Sequence, residues 1–184
     1  PEWIFIKNRD VNDPWAVYYG DNTDYLVLNT TAATVDAATY YNDTSPTATV
    51  FTVSTAHSVN ADAENYIAYC FHSVDGYSKA GSYEGNNNAD GTFVYTGFQP
   101  KFIIIKDIDA AQSWNLYDSV RDTNENPVNL SLLADNTNAD ASGNPIDFLS
   151  NGFKLRDASG MINDAESYIY LAFAETPSKY SNAK

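Results

Sequence analysis

Few side chains in this sequence could do chemistry. Cys70 and His72 lie two residues apart, with His57 not far upstream. A thiol beside an imidazole is the arrangement of nucleophilic catalysis. On an extended chain the two point to one side, with Cβ atoms roughly 7 Å apart. Two histidines and one cysteine make a poor zinc cluster, so no metal ligand is assigned. Asp62/Glu64 and Asp164/Glu166 are paired carboxylates, the type of group that cleaves glycosidic bonds. Each pair precedes a strand-like run, where hydrogen bonds to the next backbone amides would build a turn. Asn86–Asn87–Asn88–Ala89–Asp90–Gly91 carries oxygens at alternate positions and a turn glycine, as part of a calcium loop does. It lacks the bidentate Glu and flanking helices, and such runs are also ordinary turn chemistry. Trp15 and Trp114 open apolar runs and could stack a sugar ring; the plainer role is core or strand-end anchor. Asn29–Thr30–Thr31, Asn42–Asp43–Thr44 and Asn129–Leu130–Ser131 fit the glycosylation triplet, in a chain where Asn, Thr and Ser are common. There is no phosphate loop, serine elbow or metal-binding helix. No catalytic, cofactor-binding or metal residue is expected.

The elements that position these residues are written nearly twice. Pro1–Glu2–Trp3–Ile4–Phe5–Ile6–Lys7 returns as Pro100–Lys101–Phe102–Ile103–Ile104–Ile105–Lys106. Trp15–Ala16–Val17–Tyr18 returns as Trp114–Asn115–Leu116–Tyr117, and Asp62–Ala63–Glu64–Asn65–Tyr66–Ile67 as Asp164–Ala165–Glu166–Ser167–Tyr168–Ile169. The repeat is an internal control on chemistry. Cys70 falls opposite Ala172, His72 opposite Ala174 and His57 opposite Ser159, which argues against a catalytic thiol and makes Cys70 a small packed residue. Two segments are expected, 1–80 and 81–184. The lead-in from Gly81 to Gln99 precedes Pro100 and has no twin before Pro1. A first copy without that hairpin would have an open sheet edge, to be covered by a partner or an upstream domain.

The bulk composition narrows the class. The chain has 184 residues, 43% hydrophobic, with 14 Tyr, 9 Phe and 3 Trp. That is enough for one sizeable core or two small ones. Ten Lys and Arg against 24 Asp and Glu leave a net charge of −14. Such a surface repels phosphate backbones and anionic headgroups, so neither nucleic acid nor membrane insertion is expected. One cysteine excludes an internal disulfide framework.

Short apolar runs alternate with Asn, Asp, Thr, Gly and Ser throughout. Trp3–Lys7, Trp15–Tyr19, Tyr25–Asn29, Thr49–Val53, Tyr66–Phe71, Thr92–Phe98, Lys101–Lys106, Trp114–Tyr117, Leu130–Leu133, Gly152–Leu155 and Ser167–Ala174 read as strands. Trp3–Ile6 and Phe102–Ile105 are continuous and predict burial on both faces. Ile169/Leu171/Phe173 alternate with Tyr168/Tyr170/Ala172, and Ile67/Tyr69/Phe71 with Tyr66/Ala68/Cys70. The pattern predicts an all-β, antiparallel, jelly-roll-like sandwich built from two tandem repeats.

The second copy resembles a module of structural proteins from marine tailed bacteriophages, typically tail-fibre or virion surface proteins in which it often follows a SPRY-like sandwich. The resemblance lies in Gly81–Asn86, Asp90–Lys106, Trp114, Arg121, Phe148–Lys154 and Ser167–Glu175. The closing Asn182–Ala183–Lys184 resembles the family's C-terminus. The resemblance implies a non-enzymatic virion protein, on fibre or capsid, acting in assembly or host attachment. It would be a homo-oligomer contacting other virion proteins and possible host surface glycans, with no cofactor. A carbohydrate-binding module using Trp15 or Trp114 is the alternative, and a glycan-cleaving enzyme using Glu64 or Glu166 a distant third.

Overall fold

The structure is a computed structural model describing residues 1–122 and 126–174. Glu175 and Asn182–Ala183–Lys184, part of the resemblance, lie outside the described residues. The protein is all-β, with two antiparallel sheets, one nearly barrel-shaped. The chain divides into two compact units, Pro1–His72 and the part from Ser73 onward.

The first unit carries a five-stranded sheet in the order β4-β3-β2-β1-β5. Its strands are β1 (Trp3–Asn8), β2 (Ala16–Tyr18), β3 (Asp24–Val27), β4 (Val35–Asp36) and β5 (Tyr66–Phe71). The continuous apolar run of β1 makes it central, paired with β2 on one side and β5 on the other. Ile4 and Ile6 face a core with Ala16, Tyr18, Tyr41 and Val59, while Trp3 and Phe5 are buried on the other face. Two single helical turns, α1 (Ala38–Tyr41) and α2 (His57–Asn60), supply Tyr41 and Val59 to that core. Thr49–Val53, expected to be a strand, is not one. Its ends are tied down locally: Thr47 N donates to Val50 O, and Ser54 N to Tyr40 O. Phe51 and Val53 bury their side chains against the core without sheet pairing.

The second unit carries an eight-stranded sheet in the order β6-β13-β8-β9-β10-β11-β12-β7. These are β6 (Ser78–Glu84), β7 (Phe93–Tyr95), β8 (Pro100–Asp107), β9 (Asn115–Asp118), β10 (Val128–Leu133), β11 (Ala141–Leu149), β12 (Gly152–Leu155) and β13 (Ser167–Ala174). Because β6 starts at Ser78, residues expected to close the first segment pair instead in the second sheet. The consecutive strands β6 and β7 lie at opposite ends of the strand order. Thr92 Oγ1 donates to Glu84 O, and Gly91 N to Leu155 O, drawing the two ends together. Ile103, Ile105, Tyr168, Tyr170 and Ala172 face one core with Tyr83, Phe153 and Ile162. The expected alternation of β13 therefore holds, and Ile103–Ile105 are buried on both faces.

β5 and β13 differ in their surroundings. β13 lies between β6 and β8, and five of its eight residues are buried. Among the described residues β5 pairs with β1 alone and ends its sheet, and Ile67, Ala68, Tyr69 and Cys70 are exposed. Cys70 is thus not the packed residue expected; among the described residues no strand lies along its outer side. His72 is exposed too.

Candidate functional site

Three segments of the first unit converge where β1 ends. Asn8 closes β1 and starts the turn, its Oδ1 accepting from Asp10 N (2.9 Å) and Val11 N (3.3 Å). Lys7 Nζ donates to Asp13 O at 2.7 Å, fixing the rest of the loop. Asp10 Oδ2 accepts from Asn65 N (2.6 Å) and Nδ2 (3.0 Å), tying that loop to the start of β5. Those Asn65 hydrogen bonds hold the Asp10 carboxyl below the ordinary carboxylate range. Buried Val59 anchors α2 from beneath, leaving His57 on its outer side. Tyr66 fastens α2 to β5: its hydroxyl donates to His57 O at 2.6 Å and accepts from Ala61 N at 2.8 Å.

The result is a histidine between two carboxylates. His57 Nδ1 lies 2.6 Å from Asp13 Oδ2, and Nε2 lies 3.5 Å from Glu64 Oε1. Asn8 Nδ2 donates to Glu64 Oε2 and, at 3.5 Å, to Asp13 Oδ2, so one amide orients both acids. The Asp13 hydrogen bond, then the charges of Asp13 and Glu64, raise the His57 pKa. The group favours an imidazolium. Both ring nitrogens are engaged by carboxylates, whereas a histidine activating a nucleophile needs one for that partner.

Sequence reasoning found only part of this. Glu64 does more than build a turn, because it reaches His57 and the Asn8 amide. Asp13 had no recognisable motif; it is distant in sequence and reaches the site through the β1–β2 loop. Trp114 is 0% exposed and is a core residue. Trp15 is half-buried and stacks on the exposed Tyr69, centroids 6.2 Å apart. The Asn86–Gly91 oxygens are spent locally. Asn86 Oδ1 accepts from Asn88 N and Asn163 Nδ2, Asn88 Oδ1 accepts from Asp90 N, and Asp90 pairs with Lys154 at 2.7 Å.

The second unit builds the same turn with other chemistry. Lys106 Nζ donates to Gln112 O at 2.7 Å, as Lys7 does to Asp13 O. Asp107 Oδ1 accepts from Asp109 N and Ala110 N, as Asn8 Oδ1 does in its turn. Tyr168 accepts from Asp164 N and donates to Gly160 O. Ile162 N and Asn163 N donate to Ser159 O, as Val59 N and Asn60 N do to Ala56 O. These bonds place Gly160, not Ser159, opposite His57. A Cβ on Gly160 would lie 3.5 Å from Gln112 Nε2. Where the first unit has Asp13 and His57, the second therefore has Gln112 and Gly160. Burial lowers the Lys106 pKa to about 8. It raises that of Asp107, whose buried Oδ2 has no hydrogen-bond partner among the described residues. Glu166 is raised by desolvation, then by the charges of Asp107, Asp109 and Asp164.

The fold and site define an all-β protein of two compact units, one bearing a carboxylate–imidazole cluster on its surface. The chain belongs to the family described as "Domain of unknown function (DUF7483)", whose model matches residues 1–177. No curated protein and no solved structure matches it. Among the described residues no helix is long and apolar enough to cross a membrane.

Proposed function

We propose that this chain is a non-enzymatic structural module of a phage particle, built from two tandem copies of one β unit, that joins neighbouring subunits by strand addition along β5. The observation that carries this reading is the contrast between β5 and β13. The same strand type is covered by β6 in one unit and ends the sheet in the other. Arg9 N donates to Asn65 O, so by alternation the backbone groups of Ala68 and Cys70 face away from β1. An exposed edge carrying Ile67 and Tyr69 is a template for another strand. The matched turns at Asn8 and Asp107 support the two-copy part. The phage part, with location on the virion surface, rests on the resemblance of the second half to fibre and surface modules. A second copy of this chain is the partner proposed.

Light scattering on a size-exclusion column tests the assembly. The chain is expected to self-associate. Ala68→Pro removes an outward amide, which an edge strand tolerates, and should leave a folded monomer by circular dichroism. A wild-type chain that stays monomeric at high concentration sinks the proposal, as does a Pro variant that assembles unchanged. One observation favours the carbohydrate alternative: the accessible Trp15–Tyr69 stack. Binding on a glycan array that Trp15→Ala abolishes without unfolding would move the function there.

A further inference from the structure

We propose that Asp13, His57 and Glu64 form a surface site for a divalent transition-metal ion of the zinc type. Each offers one ligand atom, and the three atoms lie within 4.8 Å of one another. Ligands of a tetrahedral zinc ion stand roughly 3.4 Å apart, so small side-chain rotations bring these three to one centre. The donor set is one imidazole and two carboxylates. An imidazole ligand suits zinc and its neighbours in the series rather than calcium or magnesium, which take oxygen alone. His57 is 59% exposed at its side chain, so a fourth position opens to water.

The ligands are held from behind as metal ligands are. Asn8 Nδ2 reaches both carboxylates, Lys7 Nζ pins the Asp13 carbonyl, and the Tyr66 hydroxyl pins the His57 carbonyl. The acids come from the β1–β2 loop and the approach to β5, and the imidazole from α2. Local turn chemistry does not require that meeting. The second unit shows what the turn needs by itself. It keeps the lysine–carbonyl bond, the Asx turn and the tyrosine clasp, yet has Gln112 and Gly160 where the first has Asp13 and His57. The two extra ligands are additions to a scaffold that closes without them. This comparison leans on the two-copy reading, but the binding test does not.

The full chain, stripped with chelator, is titrated with Zn2+ by calorimetry near neutral pH. A single equivalent is expected to bind. His57→Ala and Glu64→Gln should each weaken it by at least about tenfold, the low end for disturbing a metal site, with unchanged circular dichroism. Cys70→Ser with His72→Asn, which removes the chain's other imidazole and its one thiol, should bind as wild type does. Cobalt in place of zinc should give visible bands that His57→Ala abolishes. The proposal is overturned if the wild type binds no more tightly than His57→Ala. It is equally overturned if the Cys70/His72 variant is the one that loses the metal. Self-association is read separately, so either reading can fail alone.

Discussion

At the scale of single residues, tyrosine carries an unusual share of this protein. Tyr41, Tyr83 and Tyr117 are buried, and desolvation pushes their hydroxyls above the ordinary value near ~10. A phenol whose folded pKa is raised adds stability that is fully present below its unfolded value. That stability is lost as pH climbs through the folded value. Stability should therefore fall above about pH 10, and these tyrosines should ionise together with unfolding. Tyrosinate absorbance recorded alongside circular dichroism checks this; early, independent ionisation of all tyrosines would contradict it. Lys106 acts in the opposite sense at lower pH. Its amine is depressed to about 8, so its contribution improves as pH rises from there toward the unfolded value. Both effects follow from taking a polar tip out of water. The tyrosine count was legible in the sequence; which hydroxyls would be dry was not. Cys70 shows the same limit: free cysteines are usually buried, but this one lies on a strand edge that no described strand covers.

At the scale of elements, the close approaches decide which substitutions matter. A Cβ on Gly85, just after β6, would meet Asp164 O at 1.8 Å, and one on Gly152, opening β12, would meet Val94 O at 2.1 Å. Backbone cannot yield as a side chain can. Gly85→Ala should destabilise the second unit by about 2 kcal/mol or more, through strain where the chain turns from β6 toward β7. Urea unfolding measures it, and a change within about 0.5 kcal/mol would show that the loop relaxes freely. Strand positions were readable where apolar runs were long, as in β1, β8 and β13. They were not readable in β11, whose Ala141–Leu149 is polar at its start and contains Pro145. Pairing with β10 and β12 makes it a strand. Thr49–Val53 erred the other way: its β-branched composition suited a strand, but local hydrogen bonds and burial over the core left it unpaired.

At the scale of the whole molecule, the turn after β1 and the turn after β8 share a hydrogen-bond pattern. Gln112→Asp with Gly160→His would place a second Asp–His pair beside Asp164, whose Oδ2 lies 3.5 Å from where a Gly160 Cβ would sit. Gly160 has no positive φ, and a Cβ there would meet its nearest neighbours at ordinary contact distance, so the backbone accepts a side chain. If the units are copies of one turn scaffold, the doubly substituted chain should bind two equivalents of zinc where the wild type binds one. Calorimetric stoichiometry reads the difference directly, and a value unchanged from wild type would show that the scaffold alone does not create the site. The acidic surface, −14 overall, should help draw cations toward both turns, more so at low salt.

By itself the sequence determined the strands with long apolar runs, the all-β class and the recurrence of Lys7 as Lys106 and of Tyr66 as Tyr168. Those features are local: strand periodicity and turn chemistry act over a few residues, so a few residues disclose them. Only the tertiary structure decided that Asp13 meets His57 and Glu64, that Gly160 holds the place in its own turn that His57 holds in the other, and that among the described residues β5 lacks the neighbour β13 has. Each depends on register and on which edge is paired. Both are fixed by contacts between residues far apart in the chain, and no single segment records them.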